Sequence, residues 1–194
     1  EPLQGQVVMS DFTPFQSSFE TKDISRVVKT NDQWFRPVDI KAGPDGCIYV
    51  ADLYEQRIDH SSHYAGRVDR TSGRVYRLMP KDFVSPGAID HSEHSSQDLI
   101  GLLEHSNKIH RQPIVRVLGD RVDRSLVPAL IEQTKKAGGQ FALESLWALH
   151  ASGGFTDKLC IELLSHSDPF VRAWTVRLLC DHYAVSGPVA AALA

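Results

Sequence analysis

Six residues near the middle of the chain return almost unchanged further along. Leu102-Leu103-Glu104-His105-Ser106-Asn107 comes back as Leu163-Leu164-Ser165-His166-Ser167-Asp168, an offset of 61. Arg111, Val115-Arg116, Leu118 and Asp120 return at the same offset as Arg172, Val176-Arg177, Leu179 and Asp181. A fixed period restricts a chain to an array of one supersecondary unit, each copy burying a face on the next. Between the copies lie two more amphipathic runs, Leu126–Lys136 and Phe141–His150. The offset therefore holds two helical hairpins of about 30 residues, and the second half of the chain holds three. In the first and third, Asn107 and Asp168 are placed to cap the second helix. Pro169 follows Asp168, where its missing N–H costs nothing. Arg111 and Arg172 fall in the first turns of those helices. His105 and His166 share one repeat position, which predicts a structural role in the turn.

Composition changes near residue 85, from Gly, aromatic and β-branched residues to Leu, Ala and amphipathic runs. Phe83–Gln97, with its Pro, Gly and Ser, reads as a linker between a β segment (1–82) and the helical repeats (98–194). In the β segment, Ile24–Val28 reads as a strand and Thr30–Asp32 as a turn. A hairpin follows: strand Pro37–Ile40, turn Gly43–Gly46, strand Cys47–Ala51. A loop from Leu53 to Arg70 leads to a last strand, Gly73–Leu78, whose alternation is that of a half-buried strand. The fold class is α+β: an antiparallel β meander, then an α-solenoid of helical hairpins.

Several function classes drop out. The net charge of −3 is spread over interspersed acids and bases, so no nucleic-acid footprint exists. No apolar run reaches the length of a membrane span. Cys47, Cys160 and Cys180 form no CxxC, CxxCH or zinc spacing. Cys47 reads as a buried hydrophobe, and Cys160 and Cys180 lie at different distances from their turn, against a disulfide. There is no phosphate loop and no Ser/His/Asp or Cys/His arrangement. His60-Ser-Ser-His63 and His91-Ser-Glu-His94 have ligand-like spacing, but a zinc or copper site needs three or four ligands and no third converges. No metal is therefore expected in this chain. The opening EPLQGQVVMS lacks an initiator Met and a signal-peptide pattern, and the closing PVAAALA reads as the start of another helix, so both ends read as cut.

Arg36, Asp39 and Asp52 flank the two hairpin strands and are the candidate ligand-binding residues. An Arg fork can hold a carboxylate, and Asp oxygens suit a hard cation such as calcium. The competing reading is that both aspartates accept backbone hydrogen bonds and stabilise loops. Asp45 belongs to the tight turn, where Asp-Gly serves conformation. Trp34 adjoins the same rim, while Trp147 and Trp174, with apolar neighbours at helical spacing, read as repeat core. The arginines at 111, 116, 172 and 177 form no continuous basic stripe and read as internal hydrogen-bonding or solvated groups.

The paired-helix pattern, with an arginine early in the second helix, resembles HEAT repeats. Phe35-Arg36-Pro37-Val38-Asp39, Gly43-Pro44-Asp45-Gly46 and Tyr49-Val50-Ala51-Asp52, followed by those hairpins, make about residues 20–182 similar to the family of large bacterial membrane-bound dehydrogenases. These combine a sugar-dehydrogenase-like β-propeller, HEAT repeats and often a C-terminal c-type cytochrome domain. The resemblance implies that the β segment is the last propeller blade, and that the parent is exported to the periplasm or cell envelope. It implies substrate oxidation there, with haem c, a quinone cofactor and calcium held elsewhere in the parent. The partners implied are the rest of the propeller and the cytochrome domain. This chain lacks CxxCH and the earlier blades, so its expected part is a scaffold. The alternative is a HEAT-type module that binds another protein through its solenoid surface without catalysis. A lone blade exposes both faces and its edges, so residues 1–80 are expected to be weakly stabilised.

Overall fold

The structure is a computed structural model and describes residues 1–15, 18–57, 59–66, 69–87 and 89–194. Residues 58, 67 and 68 of the predicted loop and residue 88 of the predicted linker lie outside the described residues. The chain forms two compact units, Glu1–Pro86 and Gly87–Ala194. Antiparallel strands make the first and helices the second, which is the expected α+β class.

In the first unit, β3 (Pro37–Ala42), β4 (Ile48–Asp52) and β5 (Arg74–Leu78) form an antiparallel meander in that order. The register sets Val50 between Ile40 and Tyr76, and Tyr49 between Lys41 and Arg77. The turn between β3 and β4 closes through Gly43 N–H to Cys47 O at 2.7 Å, and Gly46 takes a φ of +81° that favours glycine. A Cβ on Gly43 would lie 2.3 Å from the Tyr49 ring, so the turn admits no side chain there. Asp45 accepts from Cys47 N and Tyr49 OH, both at 3.0 Å, and from Arg77 at 2.6 Å. Burial works against its ionisation, but the Cys47 N–H, Tyr49 and Arg77 outweigh it and hold the carboxyl below the ordinary range.

A second sheet extends the Ile24–Val28 expectation in both directions: β1 (Gln6–Phe15) pairs antiparallel with β2 (Ser18–Lys29). Only its root is buried, where Val7 packs with Phe35 and Val50, flanked by Val28 and Leu78. Beyond it the ribbon is solvent-exposed, with Phe12 and Phe19 edge-to-face at 5.5 Å. The predicted Leu53–Arg70 loop contains a short helix, α1 (His60–Tyr64), capped by Asp59 accepting from Ser62 N–H.

The second unit has α2 (Ser96–Leu102), α3 (Lys108–Arg121), α4 (Val127–Lys136), α5 (Gly139–Ala151), α6 (Asp157–Leu163), α7 (Pro169–Leu179) and α8 (Gly187–Leu193). They pair as the hairpins α2/α3, α4/α5 and α6/α7, and α5 packs against both α3 and α7. One apolar cluster runs through all three hairpins, from Leu99 and Leu103 through Leu118, Leu130, Leu146 and Leu149 to Leu163 and Val171. Cys160 is buried among these helices, which together with Asp157 pushes its thiol up to about 12; all three cysteines are free thiols.

The repeated turn is built twice with the same bonds. His105 Nδ1 accepts from Asn107 N–H and His166 Nδ1 from Asp168 N–H, both at 3.0 Å. Arg111 Nη1 donates to the carbonyls of His105 and Ser106 at 2.6 and 2.8 Å, and Arg172 Nη1 to those of His166 and Ser167 at 2.6 and 3.0 Å. Asn107 caps α3 through Ile109 N–H, and Asp168 caps α7 through Phe170 N–H. Asp168 also accepts from Gly139 N–H at 2.7 Å, tying the third turn to the start of α5. Burial opposes its ionisation, but the N–H groups of Gly139, Phe170 and Val171 prevail, so its carboxyl lies below the ordinary range. Losing an Asn or Asp cap costs about 1 kcal/mol. Asn107→Ala is expected to lower stability by about that amount and Asp168→Ala by more, because the Gly139 bond goes with it. Urea denaturation of the two variants checks the order.

Candidate functional site

The hairpin rim brings two of the three sequence candidates together. Asp52, 3% exposed, ends β4; its Oδ1 accepts from Arg36 N–H at 2.7 Å and Tyr54 N–H at 2.9 Å. Tyr54 has a φ of +54°, so this carboxylate holds a left-handed turn that a tyrosine disfavours. The Arg36 guanidinium reaches the carbonyls of Phe35 at 2.9 Å and Gln56 at 2.6 Å. Asp39 stands apart. It pairs opposite Ala51 within the sheet, is exposed, and accepts from Lys41 Nζ and its neighbour Ile40 N–H, which hold its carboxyl below the ordinary range. Trp34 lies 5.8 Å from the Tyr54 ring, and the Arg74 guanidinium sits 3.7 Å over that same ring. Most hydrogen-bonding capacity at this rim is spent on its own loops. Asp52 Oδ2 is the exception, buried and without a hydrogen-bond partner.

A larger site lies on the second helices of the hairpins, where a groove of about 570 Å³ crosses α3, α5 and α7. Lys108, Gln112 and Val115 line it at i, i+4 and i+7 on α3, and Gln140, Glu144 and Trp147 repeat that spacing on α5. Its floor is an ion pair: Glu144, 2% exposed, receives Arg111 Nε at 2.9 Å and Gln140 Nε2 at 2.8 Å on the same oxygen. Trp147 and Trp174 meet edge-to-face at 4.9 Å, and the Arg177 guanidinium lies 4.7 Å over the Trp174 ring. The two indoles that read as repeat core pack against the apolar cluster and, half-buried, also wall the groove.

Arg111 and Glu144 cancel within the lining; Lys108 also lines the groove, and Arg177 lies over the Trp174 ring, and among the described residues neither of these cations is in an ion pair. The surface can seat an apolar or aromatic side chain against the indoles and a carboxylate or carbonyl at either cation. Among the described lining residues its one carboxylate, Glu144, is bonded to Arg111 and Gln140. Sequence reasoning singled out Arg111, Trp147, Trp174 and Arg177 one at a time but missed the groove. The signal was the i, i+4, i+7 stripe on successive second helices, which mixes polar and aromatic residues where a core stripe would be apolar. Among the described residues, no group of three or more His, Cys, Asp and Glu side chains is placed to hold a metal ion. No helix among them is long and apolar enough to cross a membrane.

Residues 3–82 match a family model described as a domain of unknown function, DUF7133. No curated protein and no solved structure matches the chain.

Proposed function

We propose that this chain is a non-catalytic scaffold whose helical unit holds a partner polypeptide along the α3–α5–α7 groove. The observation that carries this reading is the groove's make-up: a paired indole wall, with Arg177 over one ring and Lys108 in the lining, above a buried ion pair. Aromatic anchors with arginine are the residues that concentrate binding energy at protein interfaces. Among the described residues of the groove, none is arranged as nucleophile and base.

The parent of this scaffold is an exported dehydrogenase-like protein of the periplasm or cell envelope, with the β unit as its last propeller blade and the helical unit as its HEAT repeats. The residues that resemble that family support this, as does the water-exposed apolar surface of the meander: Val38, Ile40, Ile48 and Val75 are between 43% and 69% exposed. In that parent the groove's partner is the cytochrome domain, and haem c, the quinone cofactor and calcium reside outside this chain. The competing assignment is a HEAT-type interaction module with no redox parent.

Two measurements test the proposal. Reading the open frame beyond both ends is expected to give further blades upstream and CxxCH downstream. A start just before Glu1 and a stop just after Ala194 would leave only the interaction module. For the groove, the chain and its Trp174→Ala/Arg177→Ala variant are compared for binding the cytochrome domain encoded in that frame. At least a tenfold loss of affinity with an unchanged helical circular dichroism spectrum is expected. Equal affinity sinks the groove as the binding surface.

A further inference from the structure

Four of the nine histidines gather where the chain enters the first helical hairpin. His91 and His94 precede α2, His105 lies in the α2–α3 turn, and His110 is on α3. His91 Nε2 and His110 Nδ1 are 3.1 Å apart, a single N–H···N bond. The His91 ring centroid lies 5.3 Å from that of His110 and 5.6 Å from that of His94, and His105 stacks obliquely on His110 at 4.2 Å. His110 is only 9% exposed, and His91 Nδ1 is buried without a hydrogen-bond partner.

An imidazole pair shares one hydrogen bond only while one ring is neutral; with both protonated, two donors face each other and two cations lie side by side. His105, stacked on His110, has its Nδ1 engaged as the acceptor of Asn107 N–H. Arg111 sits on the carbonyls of His105 and Ser106, and Arg121 on those of Ser92 and His94. The acid that acts on His91 is Asp90, whose carboxylate accepts from Ser92 N–H.

We propose that His91, His94, His105 and His110 form a proton-operated clasp that holds residues 90–95 on the first hairpin and releases them in mild acid. Burial first, then the charges of His110, His94 and His105, keep the His91 imidazole less basic than the ordinary 6.5, and Asp90 is the weakest influence in the other direction. The released segment therefore binds protons more readily than the closed one. Closure is at full strength above about pH 6.5 and weakens as pH falls below it, by up to about tenfold in its equilibrium constant per pH unit for each extra proton bound.

Hydrogen exchange of the full chain, with chelator present, reads the clasp directly. Protection of amides 91–96, corrected for intrinsic exchange, is expected to drop at least tenfold between pH 7.5 and 5.5, while that of α5 holds. His110→Asn keeps a hydrogen-bonding group near the position of Nδ1 without a titrating ring, and is expected to flatten the response to less than threefold. An unchanged wild-type protection, a full response in His110→Asn, or a parallel loss in α5 overturns the clasp. So does opening by chelator alone at pH 7.5, which would identify a metal rather than a proton as its operator.

Discussion

Alanine in place of Glu144 is expected to destabilise the helical unit by about 3–5 kcal/mol, the cost of leaving a buried charge without its partner. Glu144 lies under the groove at 2% exposure, and Arg111 would keep its charge with Nε facing an empty site. Domains of this size are stable by about 5–15 kcal/mol, so the variant stands near the edge of folding. The repeat supplies its own control. Arg172 bonds the carbonyls of its turn as Arg111 does, but among the described residues it has no carboxylate within ion-pairing distance. Arg172→Ala is thus expected to cost about 1 kcal/mol, the scale of ordinary hydrogen bonds. Replacing both members of the buried pair, as Arg111→Met with Glu144→Leu, is expected to recover much of the loss, since no charge is stranded. Chemical denaturation of the three variants decides it: equal costs for Glu144→Ala and Arg172→Ala would show that burial of the pair contributes nothing.

Asp52→Ala is expected to have the larger structural consequence in the β unit, at about 2–3 kcal/mol, because Arg36 N–H and Tyr54 N–H lose their common acceptor. That unit rests on a buried core of Val7, Phe35 and Val50, so the loss is a large share of what holds it. Asp52→Asn retains a side-chain carbonyl for both donors and is expected to restore most of the stability. The pair also separates the two roles considered for this residue. A structural aspartate is rescued by asparagine in every assay, whereas a ligand carboxylate would fold normally as asparagine and fail to bind. Limited proteolysis between residues 30 and 56, with α5 as the internal reference, is expected to rank wild type and Asp52→Asn together and Asp52→Ala far below.

Several elements were readable in the sequence although their burial differs, β5 being exposed from Arg74 to Arg77 and α5 buried on most of its surface. Strands β4 and β5 and helices α4 and α5 lie close to the segments read from periodicity, and Asn107, Asp168 and Pro169 occupy the capping positions their chemistry predicts. The β1–β2 ribbon was legible only at Ile24–Val28. Beyond Val7 and Val28 neither face is covered, so nothing imposes an alternation of apolar and polar residues. At the rim, adjacency in sequence misled: Arg36 and Asp52 meet, but Asp39 lies one pairing step into the sheet, after a register shift at Pro37. The groove was hidden for a different reason. A tryptophan at helical spacing reads as core whether one side of its ring is covered or both, and only the packing of α5 between α3 and α7 reveals which. His91 found its partner through a turn: His110 is nineteen positions away and arrives by way of His105.

The doubled turn has a use in protein design. A histidine that accepts the amide two residues on, a Ser, a capping Asn or Asp, and an arginine six positions after the histidine that gathers the two preceding carbonyls make a self-contained connector. Its bonds close within seven residues and recur with the ion pair present in one copy and absent in the other. The second hairpin joins α4 to α5 by a different route, through Ala137 and Gly138. Grafting the His-Ser-Asn/Asp connector there would turn an irregular array into a uniform one, and its helices could then be extended by copying a single segment.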